Sequence, residues 1–400
     1  LSYSVQFWLS RRQSAYVFKH RGQVPAAFTE SITLEAHQKA ADYTIAKGKL
    51  GDIDSVVGLI FLLLLTLGGG ISLVFEFWTG FGWSTIMTGI TALGSVFFIM
   101  SLFELPTSLY QTFVIEEKFG FNKSTVGQFI KDQFLQLALV AVIGLPLLAL
   151  ILWVMQALGN TWWIWTWAIL ISFSLLMSWL YPTLIAPLFN KFTPLEDGTL
   201  KERINQLLER CGFSSNGIFI MDGSKRSGHG NAYFTGMGNN KRIVFFDTLA
   251  ESLDDDEMEA VLAHELGHFK RKHVIKMLVA SSIMSLISLG VLGWLITENW
   301  FFTGLGVGVP SNAAALLLFM LVSPAFTTFM TPISAYFQRK FEFEADDFAA
   351  EHAQASKLIS GLVKLYKENA STLTPDPLFS AFHYSHPPAA IRIAHLEPKL

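Results

Sequence analysis

Apolar stretches long enough to cross a lipid bilayer alternate with polar segments along most of the chain. A membrane-spanning helix needs about 20 mostly apolar residues. The sequence predicts a truncated first span, LSYSVQFWL, which ends at Arg11 and Arg12, and six complete spans at 57–79, 83–108, 134–157, 162–184, 274–297 and 313–336. The pattern therefore predicts an all-α integral membrane protein with seven transmembrane helices.

The polar segments 185–272 and 337–400 are long enough to fold outside the bilayer. Neither segment is large enough to bury a generous core alone. We therefore expect them to form one α+β domain, which the spans 274–297 and 313–336 interrupt and which follows an N-terminal membrane region, 1–184. Periodicity predicts helices in GTLKERINQLLERCGF and DTLAESLDDDEMEAVLAHELGHFKRKH, and strands in GIFIMDGS, NAYFTG and KRIVFFD, the last two joined by the turn MGNN.

The positions of the basic residues predict the orientation of the chain. The connections that follow residues 79, 157 and 297 contain no Lys or Arg, whereas the other connecting segments contain the basic residues. Because positively charged segments stay on the cytoplasmic side of a membrane, we expect the folded domain to be cytoplasmic.

Composition agrees with the membrane class and excludes other classes. The chain is 51% hydrophobic and only 15% charged, whereas soluble domains have about 25% charged residues. A formal net charge of -3 provides no field that would attract nucleic acid, so no nucleic-acid partner is expected. Cys211 is the single cysteine, which excludes an intrachain disulfide and a thiolate metal cluster; we expect it to be a packing residue.

The motif HELGH, residues 264–268, is typical of a hydrolytic metal site. On a helix, His264 and His268 lie one turn apart on the same face, so both imidazoles can reach one metal ion. Glu265 projects beside them, where it could act as general base for an activated water. The alternative is a solvated amphipathic helix without a metal.

A catalytic zinc ion of this kind needs a third protein ligand. In RKFEFEADDFAAEH, Glu342 and Asp346 share a helix face, whereas Glu344 is expected to point away from both. Glu342 is the candidate ligand and Asp346 a candidate for orienting a histidine; an ordinary charged helix is the alternative. His273 is a rival ligand, but its spacing from His268 is expected to turn it to another side of the helix.

The candidate ligands lie close to predicted spans. The span 274–297 begins a few residues after His268, and Glu342 follows the end of the last span by about two helical turns. Both would therefore lie on the order of 10 Å from the cytoplasmic membrane surface, at 1.5 Å per helical residue. A protease held there favours substrates that are themselves at the membrane.

Two further segments contain candidate substrate contacts. NAYFTG follows the Gly-rich GSKRSGHG and could be a sheet edge, to which a peptide substrate adds as a strand. Asn231 could then form hydrogen bonds with the backbone of the substrate. The alternative is an ordinary hairpin. FHYSHPPAAIRIAHL contains His386 and Arg392, and a histidine or arginine there could stabilise an oxyanion. A helix start with surface charges is the alternative.

Together these residues resemble the type I CAAX prenyl proteases, which are integral-membrane zinc metallopeptidases. The matching stretches are TFVIEEKFGFNKST, APLFNKFTPLEDG, GSKRSGHGNAYF, KRIVFFDTL, LAHELGHFKRKH, FEFEADDFA and FHYSHPP. The resemblance implies a seven-helix barrel around a water-filled chamber, with the zinc domain on its cytoplasmic side. It also implies one Zn²⁺ per chain and a set of site residues: His264, His268 and Glu342 as ligands, Glu265 and His386 as catalytic residues, Asp346 and Arg392 as their supports, and Asn231 as a substrate contact.

Members of this family cleave isoprenylated CAAX peptides and remove the last three residues. In this chain ESLDDDEMEA leads directly into the HExxH helix, without the acidic insertion of some animal members. That short form suggests a bacterial or simpler member, and we expect a bacterial inner membrane rather than the endoplasmic reticulum. We therefore predict a zinc endopeptidase that cleaves peptide or protein substrates at the lipid bilayer, prenylated or not.

Two alternative functions remain open. A quality-control protease that degrades damaged membrane proteins would use the same zinc site without requiring a prenyl group. A transporter or channel could hold a structural metal, but its signs, which are paired charges within spans or broken half-helices in two inverted repeats, are missing from this sequence.

Overall fold

A computed structural model describes residues 1–213, 215–236 and 241–400 of the chain. The predicted turn MGNN, residues 237–240, lies outside the described residues. The first half of the chain forms helices α1 Ser2–His20, α2 Leu34–Leu65, α3 Gly70–Thr79, α4 Thr85–Tyr110, α5 Glu117–Phe119, α6 Val126–Leu139, α7 Leu145–Ala157, α8 Trp162–Leu180 and α9 Ala186–Phe189.

The second half contains both helices and strands. The strands are β1 Phe192–Pro194, β2 Ile218–Met221, β3 Ala232–Thr235 and β4 Arg242–Phe246. The helices are α10 Thr199–Arg210, α11 Asp247–Ser252, α12 Asp255–Lys270, α13 His273–Leu295, α14 Asn299–Thr303, α15 Asn312–Thr327, α16 Thr331–His352, α17 Ala355–Glu368, α18 Pro377–His383 and α19 Ala389–Leu396.

Within the described residues, five continuous helical stretches are long and apolar enough to cross a membrane, and the bent pair α2 and α3 would make six. Some of these stretches join two or three helices, because π-helical or 3-10 turns connect them without a break. Their apolar side chains face outwards: only 6% of the apolar window of His273–Leu295 is buried inside the protein. An outward apolar surface of this length fits lipid, so the chain is a multi-pass integral membrane protein. The stretches are Thr85–Phe119, Val126–Ala157, Gly159–Phe189, His273–Leu295 and Asn312–His352.

The predicted span 57–79 contains a bend that its hydropathy does not show. Helix α2 ends at Leu65, and α3 begins at Gly70 with its axis bent by 51°. Gly69 adopts the left-handed conformation with φ 77°, which favours glycine. A Cβ on Gly68 would lie 2.6 Å from the carbonyl oxygen of Leu64. The three consecutive glycines therefore allow a tight turn inside an apolar run that hydropathy alone cannot divide.

The first helix also differs from its prediction. It was expected to end at Arg11 and Arg12, but α1 continues to His20, and α2 makes most of the predicted first loop helical. Polar residues do not end a helix as long as their backbone groups stay paired. The chain turns only at RGQVP, residues 21–25, where glycine and proline interrupt it.

Several helices extend beyond their apolar windows. Hydropathy predicts that the last span ends at residue 336, whereas the continuous helical stretch, Asn312–His352, ends 16 residues later and is 41 residues long. Apolar composition marks the part of a helix that faces lipid, and backbone hydrogen bonds continue past it. As a consequence, Glu342 lies on the same continuous helical stretch as the last predicted span.

The second half also forms a mixed sheet. Among the described residues its strand order is β1-β2-β4-β3, with β2 and β4 parallel and the other two pairs antiparallel. The expectation that NAYFTG forms a sheet edge is confirmed, since β3 is terminal, and β1 was not predicted. Helices α10, α12, α16 and α17 share one hydrophobic cluster with the sheet. The cluster joins segments on both sides of the two intervening spans: Ile204, Phe245, Leu262, Phe348, Leu358 and Leu396.

The HExxH helix begins at a specific cap. Asp254 accepts a hydrogen bond from the backbone of Glu257, whose side chain accepts one from the Asp254 backbone, a reciprocal capping box. This cap separates α11 from α12, so the single helix predicted here is two. The Glu257 carboxylate also accepts hydrogen bonds from Ser360 and Lys364 of α17 at 2.6 Å each, which fixes α12 against its neighbour.

Polar contacts connect the membrane helices to the loop that precedes β3. The Arg226 guanidinium donates two hydrogen bonds to Asp132 of α6, at 2.7 and 2.8 Å, and a third to the Asn190 side chain at 2.7 Å. His229 of the same loop contacts the Tyr43 hydroxyl at 3.2 Å. The loop GSKRSGHG, which the sequence left without a role, therefore fixes the edge strand to the membrane region.

Candidate metal centre

The candidate centre lies where α12 and α16 cross. At the crossing Gly267 packs so closely that a Cβ on it would lie 2.9 Å from the Cα of Ala345. The close approach brings His264 and His268 of α12 next to Glu342 of α16. One ligand atom from each of the three residues lies within 4.8 Å of the other two. The sequence predicted the same three residues as candidate ligands.

His264 is held in one orientation by a buried carboxylate. Its Nδ1 lies 2.9 Å from Oδ1 of Asp346, so Nε2 is directed towards His268 and Glu342. Burial and the Arg392 guanidinium act against a charged ring, yet hydrogen bonding to Asp346 and Glu342 outweighs them and raises the pKa of His264 to about 9. The surrounding carboxylates therefore favour a positive charge at this point.

His268 is oriented by His273 and Glu344, for which the sequence predicted no such role. Its Nδ1 lies 3.1 Å from Nδ1 of His273, and Nε2 of His273 lies 3.0 Å from Oε2 of Glu344. The expectation that His273 faces another side of the helix is wrong, because Lys272 adopts a left-handed conformation (φ 60°) and starts a new helix there. Glu344 does point away from Glu342 and Asp346, but it reaches the site through His273.

The C-terminal helix α19 closes the other side of the centre. Arg392 is buried and donates two hydrogen bonds to Asp346, at 2.9 and 2.5 Å, and its Nη1 lies 3.4 Å from Oε2 of Glu342. The segment before α19 places Nε2 of His386 3.4 Å from Oε1 of Glu342. The His386 side chain is 62% exposed, so it stands at the open side of the site.

The donor set fits a zinc ion. Nε2 of His264 and Nε2 of His268 lie 3.2 Å apart, and both lie within 3.5 Å of the Glu342 carboxylate. Within the described part of the chain no group donates a hydrogen bond to Oε2 of Glu342, although that atom is buried. A buried carboxylate oxygen that accepts no hydrogen bond is suited to a metal ion as a further partner, in addition to the nearby charge of Arg392. Two imidazole nitrogens and one carboxylate are a common ligand set of catalytic zinc, which leaves one position for water.

The two remaining predicted residues occupy different places. Glu265 is half-buried next to His264, and no group among the described residues forms a hydrogen bond or an ion pair with its carboxylate, so it is available as a base. Asn231 is exposed immediately before β3, where its side-chain oxygen accepts a hydrogen bond from the Ala232 backbone at 2.9 Å. The structure does not bring Asn231 into contact with the three ligands.

Two family models together match almost the whole chain. The model described as "CAAX prenyl protease N-terminal, five membrane helices" matches residues 13–191. The model of peptidase family M48 matches residues 194–399. The boundary between them falls where the membrane helices end and β1 begins.

Curated relatives and a solved structure point in the same direction. "CAAX prenyl protease 1 homolog" of Arabidopsis thaliana is 39% identical over 78% of this chain and 74% of its own length. The Dictyostelium discoideum protein of the same name is 34% identical over 100% of this chain and 95% of its own. The crystal structure of S. mikatae Ste24p has a TM-score of 0.92 and 33% identity, and the match covers 99% of this chain and 96% of that one.

Proposed function

The chain belongs to the CAAX prenyl proteases of peptidase family M48, and we propose that its zinc ion is held by His264, His268 and Glu342. Membership confirms the resemblance and the prediction of a membrane zinc metalloprotease that cleaves CAAX-type substrates. The observation that supports this ligand set is the convergence of three ligand atoms within 4.8 Å where α12 and α16 cross.

Glu265 is the proposed general base. When bound, zinc lowers the pKa of a water molecule and polarises the scissile carbonyl. Glu265 accepts a proton from the attacking water and returns it to the leaving amine. Its carboxylate is available for both steps, because no group among the described residues forms a hydrogen bond or an ion pair with it.

Other residues orient the reacting groups. His386 stands at the open side of the site, where its ring can donate a hydrogen bond to the developing oxyanion. Asp346 orients His264, and Arg392 keeps Asp346 in place through its two hydrogen bonds. The exposed edge of β3, with Asn231 at its start, would bind the substrate backbone as an added strand.

The proposed membrane arrangement keeps the predicted domains. Seven spans surround a water-filled chamber, with the membrane region at 1–184 and the last two spans at 274–336. The zinc domain, 185–272 and 337–400, lies on the cytoplasmic side. The distribution of basic residues supports this orientation. The short connection before the HExxH helix supports a bacterial inner membrane, whereas the relatives named above are eukaryotic.

A prenyl group on the substrate is part of the proposal. The purified chain should contain about one zinc ion and should cleave a farnesylated CAAX peptide much faster than the same peptide without the lipid. Metal analysis and paired rate measurements test both points. Equal rates for the two peptides would contradict a prenyl requirement and favour quality control of membrane proteins instead.

A further inference from the structure

A cavity lies between the first two helices and the C-terminal segments, beside the metal centre. Its volume is about 360 Å³, which is within the range of about 300–1,000 Å³ that ligand pockets occupy. Helices α1 and α2 form one wall, and the end of α17 with the chain up to Tyr384 forms the other. The residues that matter for its chemistry are Ser10, Ser14, Lys47, Tyr366, Ser371 and Tyr384.

The charge in this cavity is positive. Lys47 is the one cationic residue of its lining, and no acidic residue of the described chain lines it. The Lys47 ammonium stands 3.8 Å above the centre of the Tyr43 ring. Within the described residues it forms no ion pair with a carboxylate, since Oε1 of the neighbouring Glu116 accepts hydrogen bonds from Tyr43 and Gln111.

Hydroxyl groups line the same cavity as the ammonium. Ser10 and Ser14 lie one turn apart on α1 and line the same side of the cavity, and Ser371 faces it from the segment after α17. A lone ammonium together with several hydroxyl donors is suited to a small anion with several acceptor oxygens, such as a carboxylate.

The cavity shares a wall with the metal centre. Tyr384 is two residues before His386, whose Nε2 lies 3.4 Å from Glu342. The Tyr366 hydroxyl lies 3.5 Å from the carbonyl oxygen of Pro387, the residue after His386. The segment that approaches the proposed zinc ligands on one side therefore lines the cavity on the other.

We infer that this cavity binds the free C-terminal carboxylate of the substrate and that Lys47 is its recognition residue, an inference that rests on the proposed function. A CAAX substrate ends in a free carboxylate three residues after the cleaved bond. Three extended residues span on the order of 10 Å, and the segment 384–386 connects the metal centre with the wall of the cavity. The cavity selects the end of the chain and explains why cleavage occurs at a fixed distance from it.

The test compares two forms of one farnesylated CAAX peptide, the free acid and the C-terminal carboxamide, as substrates of the full-length purified chain. We expect kcat/KM to favour the free acid by about tenfold or more, the factor that a charge-assisted hydrogen bond provides. Lys47→Met should remove this preference by lowering the rate for the acid while leaving the rate for the amide unchanged. Lys47→Arg, which keeps the charge, should retain most of the preference.

Lys49→Met is the matched control, because Lys49 is exposed on the same helix but does not line the cavity. It should behave as the unmodified chain, and all variants should have equal zinc content. The inference is overturned if the unmodified chain cleaves acid and amide equally, or if Lys47→Met slows both peptides by the same factor. If the unmodified chain cleaves neither peptide, the proposed function fails as well.

Discussion

At the scale of single residues, the sequence predicted those parts of the site that depend on local spacing. His264 and His268 are four residues apart on one helix, so their common face follows from the helical period. The support of His268 by His273 and Glu344 follows instead from the conformation of Lys272, which ends one helix and begins the next. Residue spacing contains no information on such a change of direction, and so the sequence did not predict that these two residues support His268.

The chain of contacts from His268 to Glu344 predicts a role in metal binding. With Nε2 of His268 on the metal, its Nδ1–H donates to His273, whose Nε2–H donates to Glu344. Glu344→Gln weakens this support, and we expect zinc affinity to fall about 10- to 100-fold, as is usual for such outer partners. Competition with a chromogenic chelator measures the affinity.

The matched control for that experiment is Glu351→Gln, on the same helix but exposed. It should leave zinc affinity unchanged. If Glu344→Gln binds zinc as tightly as the unmodified chain does, the contact with His273 has no part in holding the ligand.

At the scale of helices, hydropathy located most of the long apolar stretches but not their ends or bends. The span predicted at 274–297 corresponds to α13, His273–Leu295. The stretch 57–79 is divided by glycines that allow the backbone to turn. The last helical stretch continues to His352, because its backbone hydrogen bonds extend beyond the apolar residues. This continuation places Glu342 on the same continuous helical stretch as the last predicted span.

The crossing of α12 and α16 requires a glycine. A Cβ at position 267 would lie 2.9 Å from Cα and 3.1 Å from the carbonyl oxygen of Ala345, and neither backbone atom can move aside alone. Gly267→Ala should therefore separate the two helices, destabilise the domain by about 1–3 kcal/mol and reduce zinc occupancy. Thermal unfolding and metal analysis of the purified variant measure the two effects.

Gly51→Ala provides the comparison, because a Cβ there meets no atom within 4 Å. Alanine in the interior of α2 should leave zinc occupancy unchanged and should be neutral or stabilising. Equal zinc content and equal thermal stability of Gly267→Ala and the unmodified chain would contradict the close crossing.

At the scale of the whole molecule, the metal centre joins two parts with different surroundings. The outward faces of the long helices are apolar, with Phe134, Val142 and Phe326 strongly exposed, and fit lipid. The domain that contains the HExxH motif is connected to these helices by the contact between Arg226 and Asp132. It is also connected by two long helical stretches, one that begins shortly after His268 and one that contains Glu342. This arrangement supports the proposal that the substrates are themselves anchored in the membrane.

The distribution of basic residues predicts that the domain faces the cytoplasm. A cleavable tag placed after Leu400 should be removed by a protease added to inside-out vesicles and should stay protected in right-side-out ones. A tag that is accessible only from the outer face would reverse the orientation of the whole chain.

The most direct test of the account is the rate at which Glu265→Gln cleaves a farnesylated CAAX peptide at a zinc content equal to that of the unmodified chain. The amide keeps the shape of the side chain but cannot accept the proton of the attacking water. We expect equal zinc content and a loss of kcat of at least about 100-fold, the lower range of general-base catalysis. Full activity of Glu265→Gln with zinc bound would contradict the assignment of this site as the place of hydrolysis.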